Sequence, residues 1–120
     1  MWLFTTFGFF SIVEKGEDRG TGMVTVRARV RGDLEALRLR YLPTLGEIVE
    51  TPERDYGCRA RVPKEDLAGA VGRITMDIDY TNFKGEVAMR MGYAREQIYH
   101  EVWETLFALQ PPVATESRRG

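Results

Sequence analysis

Two segments of the chain alternate between apolar and arginine side chains, and this pattern constrains the fold more than any other feature. They are MVTVRARVR at positions 23 to 31 and YGCRARV at positions 56 to 62. Successive side chains of a β-strand point to opposite faces of a sheet, so a two-residue period predicts two strands with one apolar face each. The opposite face then carries a set of arginines: Arg27, Arg29, Arg31, Arg59 and Arg61.

The rest of the chain predicts further strands and helices around these two. Aromatic and β-branched residues favour a strand over positions 4 to 14, and EIVET at 47 to 51 favours a short one. Apolar residues at helical spacing predict three helices, the first capped by Asp33, the second starting at Pro63 and the third over positions 95 to 110. The stripes of the last two helices are Leu67, Val71, Ile74 and Ile78, and Ile98, Val102, Leu106 and Leu109. A shorter helical piece is predicted at positions 85 to 91.

This order of elements, ββαββαα, predicts an α+β fold. We expect a mainly antiparallel sheet with helices packed on one face, in a ferredoxin-like or related two-layer sandwich. A chain of 120 residues is the size of one domain, which we assign to positions 1 to 110. The segment PPVATESRRG at positions 111 to 120 has the composition of a disordered tail.

Composition excludes several kinds of site. The chain has one cysteine and one histidine, so neither an intrachain disulfide nor an ordinary zinc site can form, and we predict no metal and no cofactor. Cys58 is interpreted as a small buried core residue. The apolar start MWLFTTFGFFSIV lacks a basic leader and is far shorter than a membrane span, which favours a cytoplasmic protein with no membrane partner.

The arginine-bearing strand faces have two open interpretations. In one, acidic residues lie between the arginine rows and neutralise them; the candidates are Glu14, Glu47, Glu50, Glu53 and Asp55. In the other, the face binds an anionic partner, a nucleic acid or a phosphate-bearing small molecule, through arginine forks, with Tyr80, Asn82 and Lys84 completing its edge. The aromatic residues of the start are either core or a stacking surface beside the arginines: Trp2, Phe4, Phe7, Phe9 and Phe10.

Two other function classes stay open. An exposed sheet face or edge strand is a natural surface for a protein–protein module, most simply a homodimer. A small enzyme is the third possibility, with His100 acting together with Glu96, Glu104 or the pair Asp77 and Asp79. A binding module without catalysis is the favoured hypothesis.

The opening MWLFTTFGFFSIV and the segments VRARVR, DYGCRARV, DYTNFK and YHEVWETLFALQ together resemble a group of short, uncharacterised bacterial and phage-borne proteins. The resemblance covers most of positions 1 to 110. It implies a small stand-alone intracellular domain and no particular activity. It directs attention to residues of the last two segments, namely Tyr80, Asn82, Phe83, Lys84, Tyr99, His100 and Trp103.

Overall fold

The computed structural model describes residues 1 to 112, and the chain forms two compact units, Met1–Asp79 and a second that begins at Tyr80. Apart from its first two residues, the predicted tail at 111 to 120 lies outside the described residues. A single domain over positions 1 to 110 stays a prediction.

The first unit contains a five-stranded antiparallel sheet, which confirms the predicted α+β class. The strands lie in the order β1-β2-β3-β5-β4, so the two arginine-bearing strands, β3 and β5, are neighbours at the centre of the sheet. The strand bounds are β1 Trp2–Thr5, β2 Gly8–Val13, β3 Met23–Ala28, β4 Val49–Glu50 and β5 Cys58–Pro63.

The single N-terminal strand predicted over positions 4 to 14 is wrong, because the segment folds back as a hairpin of β1 and β2. The hydroxyl of Thr5 donates to the carbonyl of Gly8 at 2.7 Å and accepts from the N–H of Phe7 at 3.2 Å, which closes the turn. An unbroken aromatic and β-branched run hides such a turn, because strand propensity does not distinguish one long strand from two short ones.

Two helices cover one face of this sheet, α1 Arg31–Arg40 and α2 Lys64–Met76. Their apolar residues pack with those of the strands into one core, which includes Cys58 as predicted. The remaining buried members are Phe7, Phe10, Ile12, Val24, Val26, Ala28, Leu34, Leu37, Leu42, Leu45, Ile48, Ala60, Val62, Leu67 and Ala70. Ile78 lies beyond the end of α2 and is exposed, so the predicted stripe of this helix ends at Ile74.

The predicted capping role of Asp33 is also wrong. Helix α1 begins three residues earlier, with Val30 rather than Asp33 at the N-cap, so Asp33 lies within the first turn. Its carboxylate instead accepts a hydrogen bond from the backbone N–H of Phe9 at 3.0 Å and ties the helix to the β1–β2 hairpin. The carboxylate of Asp33 thus bonds to a distant strand, whereas the sequence predicts a bond to the N–H groups of its own helix.

The second unit contains helices α3 Phe83–Met91 and α4 Tyr93–Leu106. Asn82 caps α3 by accepting from the N–H of Gly85 at 3.0 Å, and Gly92 joins the two helices with a φ of 100°, a conformation that favours glycine. In α4 the buried residue is Tyr99, whereas Ile98 is 58% exposed. The predicted apolar stripe of this helix therefore does not mark its buried side. Within residues 1 to 112, no helix has the length and apolarity that a membrane crossing requires.

The close approach between the hairpin and α1 requires a glycine at position 8. A Cβ atom added there would lie 2.8 Å from Cβ of Asp33 and 2.9 Å from Cζ of Phe10. We expect Gly8→Ala to lower the free energy of unfolding by about 1–3 kcal/mol, measured by urea denaturation. Gly16→Ala is the matched control, because no atom lies within 4 Å of its added Cβ. Equal effects of the two substitutions would contradict this packing.

Candidate anion-binding site

The sheet register brings the two arginine rows together. Arg27 of β3 lies directly opposite Arg59 of β5, and Thr25 lies opposite Arg61. These side chains share the sheet face opposite α1 and α2, which we call the arginine face. Facing residues in an antiparallel pair have Cβ atoms about 5 Å apart, so two cationic side chains meet at the centre of the sheet.

Two of the five predicted arginines are neutralised by carboxylates. Nε of Arg61 lies 2.7 Å from Oδ1 of Asp18, a fully buried side chain. Arg31 pairs with Glu50 at 3.0 Å and with Glu35 at 3.3 Å. Hydrogen bonding to Glu35, aided by Glu50, outweighs desolvation and raises the pKa of Arg31. These two arginines therefore have a structural role in the first unit.

The other three form what we call the arginine triplet: Arg27, Arg29 and Arg59. No carboxylate oxygen within residues 1 to 112 lies within 4 Å of their guanidinium nitrogens. Glu14 pairs with Lys64 instead, and Asp55 offers its backbone carbonyl, not its carboxylate, to Arg29. The predicted neutralising acids are thus absent from the triplet in the described part of the chain.

Neutral groups hold the triplet in place. Nη2 of Arg27 donates to the hydroxyl of Ser11 at 2.7 Å, and Nη2 of Arg59 donates to the hydroxyl of Thr51 at 2.7 Å. Since Ser11 is on β2 and Thr51 follows β4, the two facing guanidinium groups bond towards opposite edges of the sheet. Repulsion between like charges favours this divergence.

A buried tyrosine ring supports two members of the triplet. The guanidinium carbon of Arg27 lies 4.6 Å from the ring centroid of Tyr56, and that of Arg29 lies 4.4 Å from it. The face of an aromatic ring attracts cations, with about 0.5–2 kcal/mol per contact. Tyr56 therefore offsets part of the repulsion without removing the positive charge.

Two members of the triplet also contain hydrogen-bond donors that have no partner in the part of the chain that the structure describes. Nε of Arg27 and Nε of Arg59 are buried and have no hydrogen-bond partner within residues 1 to 112. A buried donor without a partner costs about 1–3 kcal/mol. Phosphate and carboxylate groups accept bidentate hydrogen bonds from guanidinium forks, so an anion at this face would offset the unpaired positive charge.

A cleft of about 370 Å³ adjoins the triplet, lined by Arg29, Arg31, Arg54, Glu50 and Asp55 among others. Arg29 belongs to both the triplet and the cleft, and a second cation, Arg31, is paired there with Glu50. Cys58 also lines it, and burial raises the pKa of its thiol, which keeps the sulfur protonated at neutral pH. The cleft is thus a poor place for a thiolate nucleophile.

The remaining predicted site residues lie in the second unit. Asn82 is a helix cap, and the ring of Tyr80 lies 6.1 Å from that of Phe83. Lys84 and His100 do come together, with 3.1 Å between Nζ and Nδ1, and Nζ lies 4.2 Å from the ring of Trp103.

His100 has no bond to the carboxylates proposed to tune it. Neither Glu96 nor Glu104 is among the hydrogen-bond partners of its ring in the described part of the chain. Asp77 belongs to the first unit, where its carboxylate accepts from the hydroxyl of Tyr41 at 2.5 Å. Within residues 1 to 112, no three His, Cys, Asp or Glu side chains are placed to hold a metal ion.

Sequence reasoning missed three residues that shape the arginine face, Asp18, Tyr56 and Ser11. Asp18 lies in a polar turn segment, and Tyr56 precedes β5, so alternation does not assign either side chain to a face. Ser11, a small polar residue within an apolar run, was the one local signal of a polar contact on this strand.

No protein-family model matches this chain, and no curated protein or solved structure is significantly similar to it.

The Asp18 pair is expected to set part of the acid sensitivity of the fold. Burial alone raises the pKa of Asp18, but hydrogen bonds from the Lys15 N–H, the Thr25 hydroxyl and Arg61 outweigh burial and lower it. A carboxylate with a lowered pKa stabilises the fold above its unfolded pKa, and this contribution disappears as the pH falls through the folded pKa. We expect Asp18→Asn to lower the free energy of unfolding by about 2–4 kcal/mol at neutral pH.

The difference between wild type and Asp18→Asn should shrink once the pH falls below the ordinary aspartate pKa of 3.8. Urea denaturation at a series of pH values measures it. Glu17→Gln is the control, because this neighbouring carboxylate is exposed. A difference that does not change with pH would contradict an ionised, hydrogen-bonded Asp18.

Proposed function

We propose that this protein is a non-catalytic binding module that takes an anionic, phosphate-type group at the arginine triplet. The observation that carries the proposal is the facing pair Arg27 and Arg59, which has no carboxylate partner in residues 1 to 112 and two buried, unbonded Nε donors.

The arrangement of the triplet is unfavourable for the protein by itself. Like charges directly opposite each other in a sheet are destabilising, and acids that neutralise Arg31 and Arg61 show that the same unit forms ion pairs elsewhere. Stability alone does not account for leaving three arginines together. A bound anion would convert the repulsion into a network of charge-assisted hydrogen bonds.

The spacing favours a ligand with more than one anionic group. Arg27 and Arg59 are on neighbouring strands, about 5 Å apart, and bond towards opposite edges of the sheet. Arg29 adds a third cation beyond the end of β3, above the same Tyr56 ring as Arg27. A chain of linked phosphates, or a phosphodiester backbone, presents charges over such a distance.

The direct test is calorimetric titration with inorganic tripolyphosphate. We expect the double variant Arg27→Gln, Arg59→Gln to bind at least about tenfold more weakly, since one hydrogen bond to a charged group contributes about 1.5–3 kcal/mol. The variant should keep a melting temperature within a few degrees of the wild type, because removing like charges offsets the lost contacts with Ser11 and Thr51.

Two further variants sharpen the result. Arg27→Lys with Arg59→Lys keeps both charges but removes the forks, and should bind with intermediate affinity. Arg40→Gln is the matched control, because α1 packs on the other face of the sheet. Unchanged tripolyphosphate affinity in the double glutamine variant would exclude this site.

The edge of the sheet favours a second candidate function, self-association. Strand β1 is the longer of the two edge strands, and Trp2 on it is 63% exposed. Edge strands leave one row of backbone groups unpaired and readily add another strand. A homodimer through β1 would bury Trp2 and extend the sheet.

Sedimentation velocity over a concentration series tests this candidate. If β1 pairs with a second copy, we expect a dimer that Trp2→Lys converts to monomer, because a charge at a sheet edge opposes pairing. Leu39→Lys is the control, an exposed apolar residue of α1. A monomer at all concentrations would remove the homodimer.

A further inference from the structure

We infer that the anion at the arginine triplet is the backbone of a single-stranded nucleic acid, whose bases stack on an aromatic surface formed by Trp2, Phe4 and Phe9. This inference rests on the proposed function and names its ligand. It is argued from the position of these three rings, their exposure and the charge around them.

The aromatic surface lies on the arginine face. Trp2 pairs with Ser11, Ser11 with Arg27 and Arg27 with Arg59, so one row of side chains crosses four strands on the same side of the sheet. Phe4 and Phe9 face each other one step further along β1 and β2. The register therefore joins the aromatic surface to the arginine triplet without a gap.

The core does not account for these three rings. The aromatic residues of the hairpin that belong to the core are Phe7 and Phe10, on the opposite side. Phe4 and Phe9 are only partly buried, and Trp2 is largely exposed. The exposed ring of Trp2 leaves apolar surface available to a ligand.

The rings form one continuous surface. The ring centroids of Phe4 and Phe9 lie 4.5 Å apart in a stacked arrangement, and that of Trp2 lies 5.7 Å from Phe9, nearly perpendicular to it. On the other side, Phe9 lies 6.4 Å from Tyr56, the ring beneath two arginines. Every base has a π-face that can stack on such rings.

The distances between Phe9 and the arginines suit a base and its neighbouring phosphates. Phe9 on β2 lies one strand from Arg27 and two from Arg59, about 5 and 10 Å across the sheet. A base stacked at Phe9 would thus leave its phosphates near the triplet, and Trp2 on β1 lies one strand further away, within reach of the next base. Stacking requires a base that is unpaired and exposed, which a duplex does not offer, so the surface favours a single strand.

Charge along this surface also favours a polyanion. The side chains that β2 contributes to the arginine face are uncharged: Phe9, Ser11 and Val13. The buried carboxylate nearby, Asp18, already binds Arg61. A net charge of −1 for the whole chain makes the attraction local, so the affinity should depend on these few arginines and on salt.

The test follows the fluorescence of Trp2. The chain has two tryptophans, so a Trp103→Phe background leaves Trp2 as the reporter. The probes are tripolyphosphate, a mononucleotide, single-stranded RNA and DNA of about eight nucleotides, and a duplex of the same length. We expect an RNA or DNA single strand to quench Trp2 and to bind at least about tenfold more tightly than tripolyphosphate.

The aromatic contribution is measured by calorimetry in the otherwise wild-type chain. Trp2→Leu should weaken single-strand binding by about tenfold and leave tripolyphosphate binding unchanged, because the arginines remain. Tyr93→Leu is the matched control, an aromatic residue of α4 that is 70% exposed. Raising the salt from about 50 to 200 mM should lower the affinity for both the single strand and tripolyphosphate.

The outcomes separate this inference from the proposed function. If tripolyphosphate binds through Arg27 and Arg59 but the single strands bind no more tightly, the inference is wrong and the proposed function stands. Equal affinity for the duplex or for the mononucleotide, or no effect of Trp2→Leu, would also overturn the inference. If no probe binds, both fail. A preference for either RNA or DNA supports the inference and identifies the strand.

Discussion

The pairing of β3 with β5 places Arg27 directly opposite Arg59, and the rest of the arginine face is organised around this repulsive contact. Ser11 and Thr51 draw the two guanidinium groups towards opposite edges of the sheet, and Tyr56 lies under Arg27. Each of these groups is neutral. The positive charge is therefore stabilised in place rather than cancelled, which is the property that an anion site needs.

Arg61 on the same sheet differs from the triplet, because Asp18 neutralises it. The buried carboxylate of Asp18 accepts from Arg61, Thr25 and the Lys15 backbone, so charge and hydrogen bonds are both satisfied within one turn and two strands. The contrast between this end of the arginine face and the triplet two residues along is the strongest argument that the triplet serves a ligand. The aromatic rings on the other side of the triplet favour a ligand that carries stacking bases as well as phosphate groups.

The second unit has chemistry of its own. Lys84, His100 and Trp103 form a compact cluster in which a lysine ammonium contacts both an imidazole nitrogen and an indole ring. The ring of His100 contacts Lys84 and stacks on Trp103, whereas the enzyme hypothesis requires carboxylate partners for it.

Two-residue alternation in VTVRARVR and CRARV determined, by sequence alone, the two central strands, their apolar face, and Arg27, Arg59 and Arg61 opposite. The strand predicted up to position 31 was too long, because β3 ends at Ala28 and Arg31 is the first residue of α1. The alternation worked because strand side chains alternate whatever the topology is. Only the tertiary structure decided that β3 and β5 are neighbours, that Asp18 neutralises Arg61, and that Phe9 faces the arginines while Phe10 enters the core. Strand order, hairpin turns and long-range ion pairs depend on contacts between distant positions, which a local pattern does not encode.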